Sequence, residues 1–579
     1  MSTFETAATS SSGTAPQTDG SINMLNPDFP FGYDLFLAHP DGLGSVPAEL
    51  YGTEVAVIGA GLSGLVTAYE LMKMGLKPVI FEADEIGGRL RTASFQAAPQ
   101  ITCDLGGMRF PVSSKALFHY IDELGLETFD FPNPLAEPTG STVIELKGQK
   151  IYVEDPDDLP VFYREVAEAW KRALQDDAQF EQMQQAIKAR DTAKIKSIWN
   201  DLLDEYDEES FYGFIANSRA FKEAGFEHRE AFGQVGFGSG GWDTDFPNSI
   251  LEILRVVYTD ADDNHRGLSG GAAKLPHALW NHGPQELAHW PAGTSLASLH
   301  GGAPRGAVAE IRRSQRKGFG GAQAIEVTER FGSSRTFGAV VSTVQSWLLS
   351  TGIKTEEGLF PAELWTAIER SHYMQSSKTF VMVDRPFWKD RDPVTGEYLM
   401  SMTLTDRLNR ATYLLDNGEG QPAVILLSYT WNDDALKWLS LPAERRMELM
   451  LHSLEKIYPN LDIRSHIVGQ PITVSWEADP NFMGAFKANL PGHYRYQERL
   501  YTHFDQRELP AEHRGIFLAG DDVSWTAGWA EGAVTTGLNA VWGVLQHLGG
   551  QDAAQNPGPG QFLDELGPMK LKDADELVS

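Results

Sequence analysis

The sequence predicts an α/β fold, in which a Rossmann-like nucleotide-binding domain is interwoven with an α+β second domain and carries an inserted helical lobe. Three observations lead there. The apolar strand Val55-Ala56-Val57-Ile58 runs into Gly59-Ala60-Gly61-Leu62-Ser63-Gly64 and then into an amphipathic helix, the context that gives a glycine fingerprint its meaning. A second glycine-ended strand, Gly515-Ile516-Phe517-Leu518-Ala519-Gly520, returns near the far end of the chain. Between them, Pro160 to about Glu208 is acidic and helical in pattern, with Phe162, Val166, Trp170 and Leu174 on one face.

Taken in order, residues 1–22 form a Ser/Thr/Ala-rich start with no periodicity, expected to be disordered. It has neither the basic start nor the apolar core of a signal peptide. A βαβ unit follows, with strand 53–58, helix 62–74 and strand 78–82. The helix places Leu62, Leu65, Val66, Tyr69 and Met72 on its buried face and stops at Gly75. The expected organisation is a nucleotide-domain segment 52–112, a segment 113–265 holding the helical lobe (about 155–235), and a second nucleotide-domain segment 266–345. A second-domain segment 346–507 follows, with strands at Lys378 to Val383 and Ala423 to Trp431. A third nucleotide-domain segment 508–549 ends in a helix from about Trp529 to Leu548, and the Pro/Gly-rich tail 550–579 is expected to be flexible.

Composition narrows the function. A formal charge of −31, from 48 basic and 79 acidic residues, argues against a nucleic-acid partner or an anionic membrane surface. No apolar run reaches the about 18 residues of a membrane span. Cys103 is the only cysteine, so an intrachain disulfide is impossible and a reducing, cytoplasmic setting is expected. The motif Gly267-Leu268-Ser269-Gly270-Gly271 has the spacing of a hydrolase elbow. Asp263-Asn264-His265-Arg266 precedes it instead of an apolar strand, so a nucleophilic Ser269 is rejected. No H-E-x-x-H, cysteine cluster or Walker loop supports a metal or nucleoside-triphosphate role.

The fingerprint has a physical reading. Gly59 makes the turn, Gly61 lets backbone N–H groups approach a pyrophosphate, and Gly64 packs helix on strand. Glu82 stands at about the spacing (~20 residues on) of an acid that binds an adenosine ribose. Two features favour FAD over NAD. Gly87-Gly88-Arg89-Leu90-Arg91-Thr92 brings guanidinium groups within reach of a pyrophosphate, and Gly520-Asp521 with Gly528-Trp529-Ala530-Glu531 offers a second contact far away in sequence. The nucleotide domain is therefore read as FAD-binding and the second domain as the substrate domain.

Together these residues resemble the FAD-dependent amine oxidase family over most of residues 50–550. Asp104-Leu105-Gly106-Gly107-Met108-Arg109-Phe110-Pro111 resembles its L-amino-acid oxidase and amino-acid 2-monooxygenase branch. Phe237-Gly238-Ser239-Gly240-Gly241-Trp242-Asp243-Thr244-Asp245-Phe246-Pro247 looks similar to bacterial L-lysine 2-monooxygenases and L-arginine or L-lysine oxidases. The resemblance implies that Arg109 clamps the substrate carboxylate, with Tyr413 as a second contact. It further implies that Lys378 holds a water near the flavin and that Trp529 walls the substrate. For the cofactor it implies Gly59, Gly61, Ser63, Gly64, Glu82, Gly88, Arg89, Met108, Arg109, Gly520, Asp521, Trp529 and Ala530, with the Val308 backbone reading the adenine edge. No cysteine follows Cys103, so FAD is expected to be non-covalent.

The implied partners are a small amino acid and O2, in a homo-oligomer. A long basic substrate, L-arginine or L-lysine, is expected because Asp243, Asp245, Glu252, Asp260, Asp262 and Asp263 cluster between apolar segments. A cation leaving water needs a counter-charge. Asp245 leads, followed by Asp243 and Asp262, with Trp431 flanking the aliphatic stem. Oxidative deamination to a 2-oxo acid, ammonia and hydrogen peroxide is favoured over the 2-monooxygenase outcome, an amide one carbon shorter plus CO2. The reason is that lysine monooxygenase-like relatives carry a cysteine where Ala261 stands. A flavin- or NAD-binding protein without oxidase activity is the remote alternative, one that a flavin spectrum separates at once.

Overall fold

The computed structural model describes residues 22–235 and 247–571. Strand Glu54–Ile58 and helix Leu62–Lys73 form where the glycine pattern places them, and strand Lys77–Phe81 returns parallel beside the first. Val340–Ser342 pairs parallel on the other side of Glu54–Ile58, and Ile516–Leu518 completes a four-stranded parallel sheet. Helix Ala530–His547 lies against Leu62–Lys73. Leu65, Val66, Leu71 and Met72 are wholly buried between these layers, each contributing about 1.5–3 kcal/mol relative to exposure. An antiparallel sheet of Val308–Lys317, Gln323–Glu329 and Ser334–Phe337 flanks this domain.

The second domain is built on a seven-stranded mixed sheet in the spatial order Ile467–Ser475, Ser376–Val383, Ala423–Trp431, Ala411–Leu415, Met402–Thr405, Thr142–Leu146, Gln149–Val153. Strands far apart in sequence therefore share one core, with Val381, Val383, Ile425 and Leu426 fully buried. The acidic helical stretch resolves into helices Val161–Ala178, Phe180–Lys188 and Thr192–Tyr206, continued by three shorter ones to Val235.

A small antiparallel sheet matters most for the site. His265–Leu268 is its central strand, between Phe110–Pro111 and Thr128–Asp130. A short strand thus does precede Gly270-Gly271, and the turn leads into helix Lys274–Asn281.

One expectation is corrected. The stretch from Gly550, expected to be a flexible tail, is docked as far as Leu571. Gln551–Asp552 pairs with Gly44–Ser45, Asn556 donates to the carbonyls of Phe36 and Gly42, and helix Pro559–Leu566 follows. The glycines that suggested flexibility serve close packing: a Cβ on Gly558 or Gly560 would collide with the Trp542 indole. Of the N-terminal segment only Ile22 is described, and it is buried; residues 1–21 lie outside the described residues.

Candidate active site

A cavity of about 580 Å3 runs between the two domains, from the glycine turn to the face of the seven-stranded sheet. At its nucleotide end Gly59, with φ +108°, brings its Cα close to the Thr343 hydroxyl. A Cβ on Gly64 would collide with the Gly59 carbonyl oxygen, which is why helix and strand need glycine there. At Gly61 a Cβ would meet nothing within 4 Å, because that side is cavity. The Ser63 hydroxyl is buried at the first turn of the helix with no protein partner. Glu82 stands at the wall with its oxygens accepting from the Ala60, Ala83 and Asp84 amides at 2.7, 2.8 and 2.9 Å. Burial nevertheless raises its pKa above the usual carboxylate range. An open backbone turn, an unpartnered hydroxyl at a helix N-terminus and a fixed acid fit a dinucleotide diphosphate and its ribose.

Further along, Arg89 and Asp521 face each other as an ion pair, and Arg89 also donates to the Ala485 carbonyl at 2.9 Å. Gly88, Met108, Val308, Gly520, Trp529 and Ala530 line the same cavity. Sequence reasoning missed Gln345, a cavity-lining residue 3% exposed whose amide nitrogen and oxygen both lack a protein partner. No motif marks it. It becomes visible only because the strand Val340–Ser342 delivers it there.

At the substrate end Arg109, 9% exposed, precedes Phe110 and enters the cavity. Its Nη1 donates to Asn133 Oδ1 at 2.5 Å and to the Tyr413 hydroxyl at 3.2 Å. Tyr413 was expected as a second contact for a substrate carboxylate. It is fully buried outside the cavity wall, because its strand Ala411–Leu415 lies one place further into the sheet, and it supports Arg109 from behind.

Lys378 stands on an inner strand, its Nζ donating to the Gly106 and Asp104 carbonyls at 2.5 and 3.2 Å and lying 4.9 Å from the Tyr429 ring centroid. Burial lowers its pKa to about 7, against the opposing pull of Asp104. Trp431 forms an aromatic corner with Tyr429 and Phe486 on the cavity wall.

Of the acids expected to read a substrate side chain, Asp262 lines the cavity, and its carboxyl is pushed up to about 7 by burial, with Asp260 and Asp263 adding to the effect and the Arg109 charge opposing it. Asp243 and Asp245 lie outside the described residues. Glu252 also reaches the wall, held by Arg255 at 2.6 Å and Asn489 at 2.9 Å. Cys103 is buried and does not line the cavity.

A parallel-sheet nucleotide cradle that opens onto a buried guanidinium and an aromatic wall defines the class as a dinucleotide-dependent oxidoreductase. The comparisons give the family. Residues 62–545 match the family model described as flavin containing amine oxidoreductase, and the chain belongs to that family. The tryptophan 2-monooxygenase of Pseudomonas savastanoi is 30% identical, covering 93% of this chain and 98% of its own length. The L-amino-acid oxidase of Mus musculus is 26% identical over 86% of this chain and 71% of its own. Putrescine oxidase bound to putrescine superposes with a TM-score of 0.62 at 18% identity, over 86% of this chain and 99% of that one. Cyclohexylamine oxidase from Brevibacterium oxydans gives 0.61 at 17%, over 86% and 100%. These two likenesses concern the fold.

The cofactor is FAD, and non-covalent attachment is typical of the family. Among the described residues no helix is long and apolar enough to cross a membrane.

Proposed function

We propose that this chain oxidises the Cα–N bond of a basic L-amino acid, L-arginine or L-lysine. In this reading the imino acid is released and hydrolysed to the 2-oxo acid and ammonia, while O2 is reduced to hydrogen peroxide. The observation that carries the basic side-chain preference is Asp262. It lines the cavity and makes no ion pair with any described residue, with the Arg109 charge acting on it only enough to oppose the rise in its pKa. A half-buried carboxylate on the cavity wall with no salt-bridge partner suits a ligand that brings a cation.

Bound FAD would supply the two-electron acceptor for the substrate Cα–H bond, held by the Gly59–Gly64 turn, Ser63, Glu82 and the Arg89–Asp521 wall. Arg109 pairs with the substrate carboxylate and fixes the Cα, a positioning effect that can contribute about 7–11 kcal/mol when the geometry is right. Trp529, Trp431 and Tyr429 exclude water along the aliphatic stem. The reacting amine must be neutral. Lys378, with its pKa near 7, has an Nζ able to exchange a proton with a bound water at neutral pH. Asp262 meets the distal cation. Lysine would need a point charge and arginine a planar fork, and one carboxylate can serve either.

The names of the relatives favour a second reading, amino-acid 2-monooxygenation, in which the same oxidised substrate is retained and leaves as an amide one carbon shorter, with CO2 and water. The test is anaerobic flavin reduction by each of the twenty L-amino acids, followed by product analysis in air. Faster reduction by L-tryptophan, L-phenylalanine or L-leucine than by both L-arginine and L-lysine would refute the basic preference. Amide and CO2 in place of 2-oxo acid and peroxide would select the second reading.

A further inference from the structure

Behind the carboxylate clamp lies a hydrogen-bonded chain whose every donor and acceptor is dictated by its far end. Ala261 offers only a backbone carbonyl, so His265, 2.9 Å away through Nε2, must donate from that nitrogen. A neutral imidazole with a proton on Nε2 has a lone pair on Nδ1, and Nδ1 stands 2.7 Å from Asn133 Nδ2. The Asn133 amide is therefore fixed with its nitrogen towards the histidine and its oxygen towards Arg109, whose Nη1 donates to that oxygen at 2.5 Å. Burial and the Arg109 charge hold the His265 pKa down at about 3, so the ring stays neutral and its tautomer does not change in ordinary buffers. The same ring stacks on Trp529, with centroids 5.6 Å apart and planes at 28°.

The small three-stranded sheet builds the arrangement. His265 pairs with Pro111, two residues after Arg109, on one side. On the other side, Phe131 N donates to the His265 carbonyl two residues before Asn133. A shift of one residue in either pairing would turn His265 to the opposite face and break the chain.

We propose that Asn133 and His265 are positioning residues for carboxylate recognition: Asn133 fixes the guanidinium of Arg109, and His265 fixes both Asn133 and the plane of Trp529. This rests on the reading of Arg109 as the carboxylate clamp. Neither residue needs to touch the substrate carboxylate. Their effect is to hold the two groups that do the holding.

Glutamine and phenylalanine separate the two duties of His265. A glutamine side chain can donate to Ala261 and accept from Asn133 but cannot stack, whereas phenylalanine can stack but cannot hydrogen-bond. The experiment is stopped-flow anaerobic reduction of the FAD-loaded full chain by L-arginine or L-lysine, whichever reduces it faster. Binding of the matching amine without a carboxylate, agmatine or cadaverine, is measured as competitive inhibition. Asn133→Leu and His265→Phe are expected to weaken half-saturation by the amino acid about tenfold or more, the effect of losing a hydrogen bond to a charged group. Flavin content and amine binding should stay as in the wild type. His265→Gln should restore half-saturation to within about threefold, leaving a loss mainly in the limiting rate. Wild-type half-saturation in both Asn133→Leu and His265→Phe would overturn the proposal. So would equal losses for amino acid and amine, which would mark a general structural role. If no L-amino acid reduces the wild-type flavin, the clamp reading fails and this proposal falls with it. If Arg109→Met abolishes reduction while the Asn133 and His265 variants are normal, the clamp stands and only this proposal is lost.

Discussion

At its nucleotide end the cavity is bounded by backbone: Gly59, Gly61 and Gly64 fall within one turn, and their lack of side chains creates the space. At its other end it is bounded by polar side chains, the buried Arg109, His265 and Lys378 and the half-buried Asp262, which arrive from separate strands and loops. The first surface is made by leaving atoms out. The second is made by bringing polar groups in and holding the guanidinium among them from behind, as Tyr413 and Asn133 do for Arg109. The difference teaches where each end is fragile. A cradle of absent side chains fails when an atom is added, and a charged clamp fails when a partner is removed.

The largest effect is expected at the backbone end. Gly61→Val fills the open side of the turn, so the purified protein should carry little or no flavin by absorbance. Glu82→Ala should act in the same direction by removing the fixed acid at the wall. Full flavin occupancy in both would break the contrast between the two ends. Next comes Arg109→Met, which should keep its flavin spectrum while kcat/KM for the amino acid falls by roughly two to four orders of magnitude, corresponding to about 3–5 kcal/mol for a buried charge deprived of its partner. Near-normal kinetics would take Arg109 out of the site.

Asp262 sharpens the comparison through pH. Its carboxyl titrates at about 7, so it is charged above that pH and neutral below. For a cationic substrate, kcat/KM should fall as the pH drops through about 7, and Asp262→Asn should lower it about tenfold at pH 8 and remove this limb. A limb that survives in Asp262→Asn belongs to Lys378, which titrates in the same range and becomes protonated as the pH falls. The smallest effect is expected for Tyr413→Phe. Losing one 3.2 Å contact behind Arg109 should cost about 1 kcal/mol, a several-fold rise in KM with flavin content unchanged. A loss as large as that of Arg109→Met would place Tyr413 in contact with substrate.

The two ends also differ in how far the sequence discloses them. The glycine turn, its flanking strands and Glu82 lie within 30 residues of each other, and each has a local steric or electrostatic reason to be the residue it is. Arg109 and Lys378 were legible through motifs that resemble a family. Asn133 and His265 were not, since an asparagine before a proline and a histidine after an asparagine carry no signal by themselves. The docked tail misled for a related reason. Gly558 and Gly560 read as flexible until Trp542, on a helix before them in the chain, is seen to occupy the space their missing side chains leave.

What the sequence by itself determined was the α/β class, the glycine cradle and the helical stretch, because periodicity and glycine sterics act over a few residues along the chain. What only the tertiary structure decided was which side chains stand behind Arg109, where Tyr413 lies, that Gln345 lines the cavity, and that Asp262 does so too. Those facts depend on strand pairing between segments over a hundred residues apart, such as His265 with Pro111. A one-residue change of register would reverse every facing side chain without altering any local pattern.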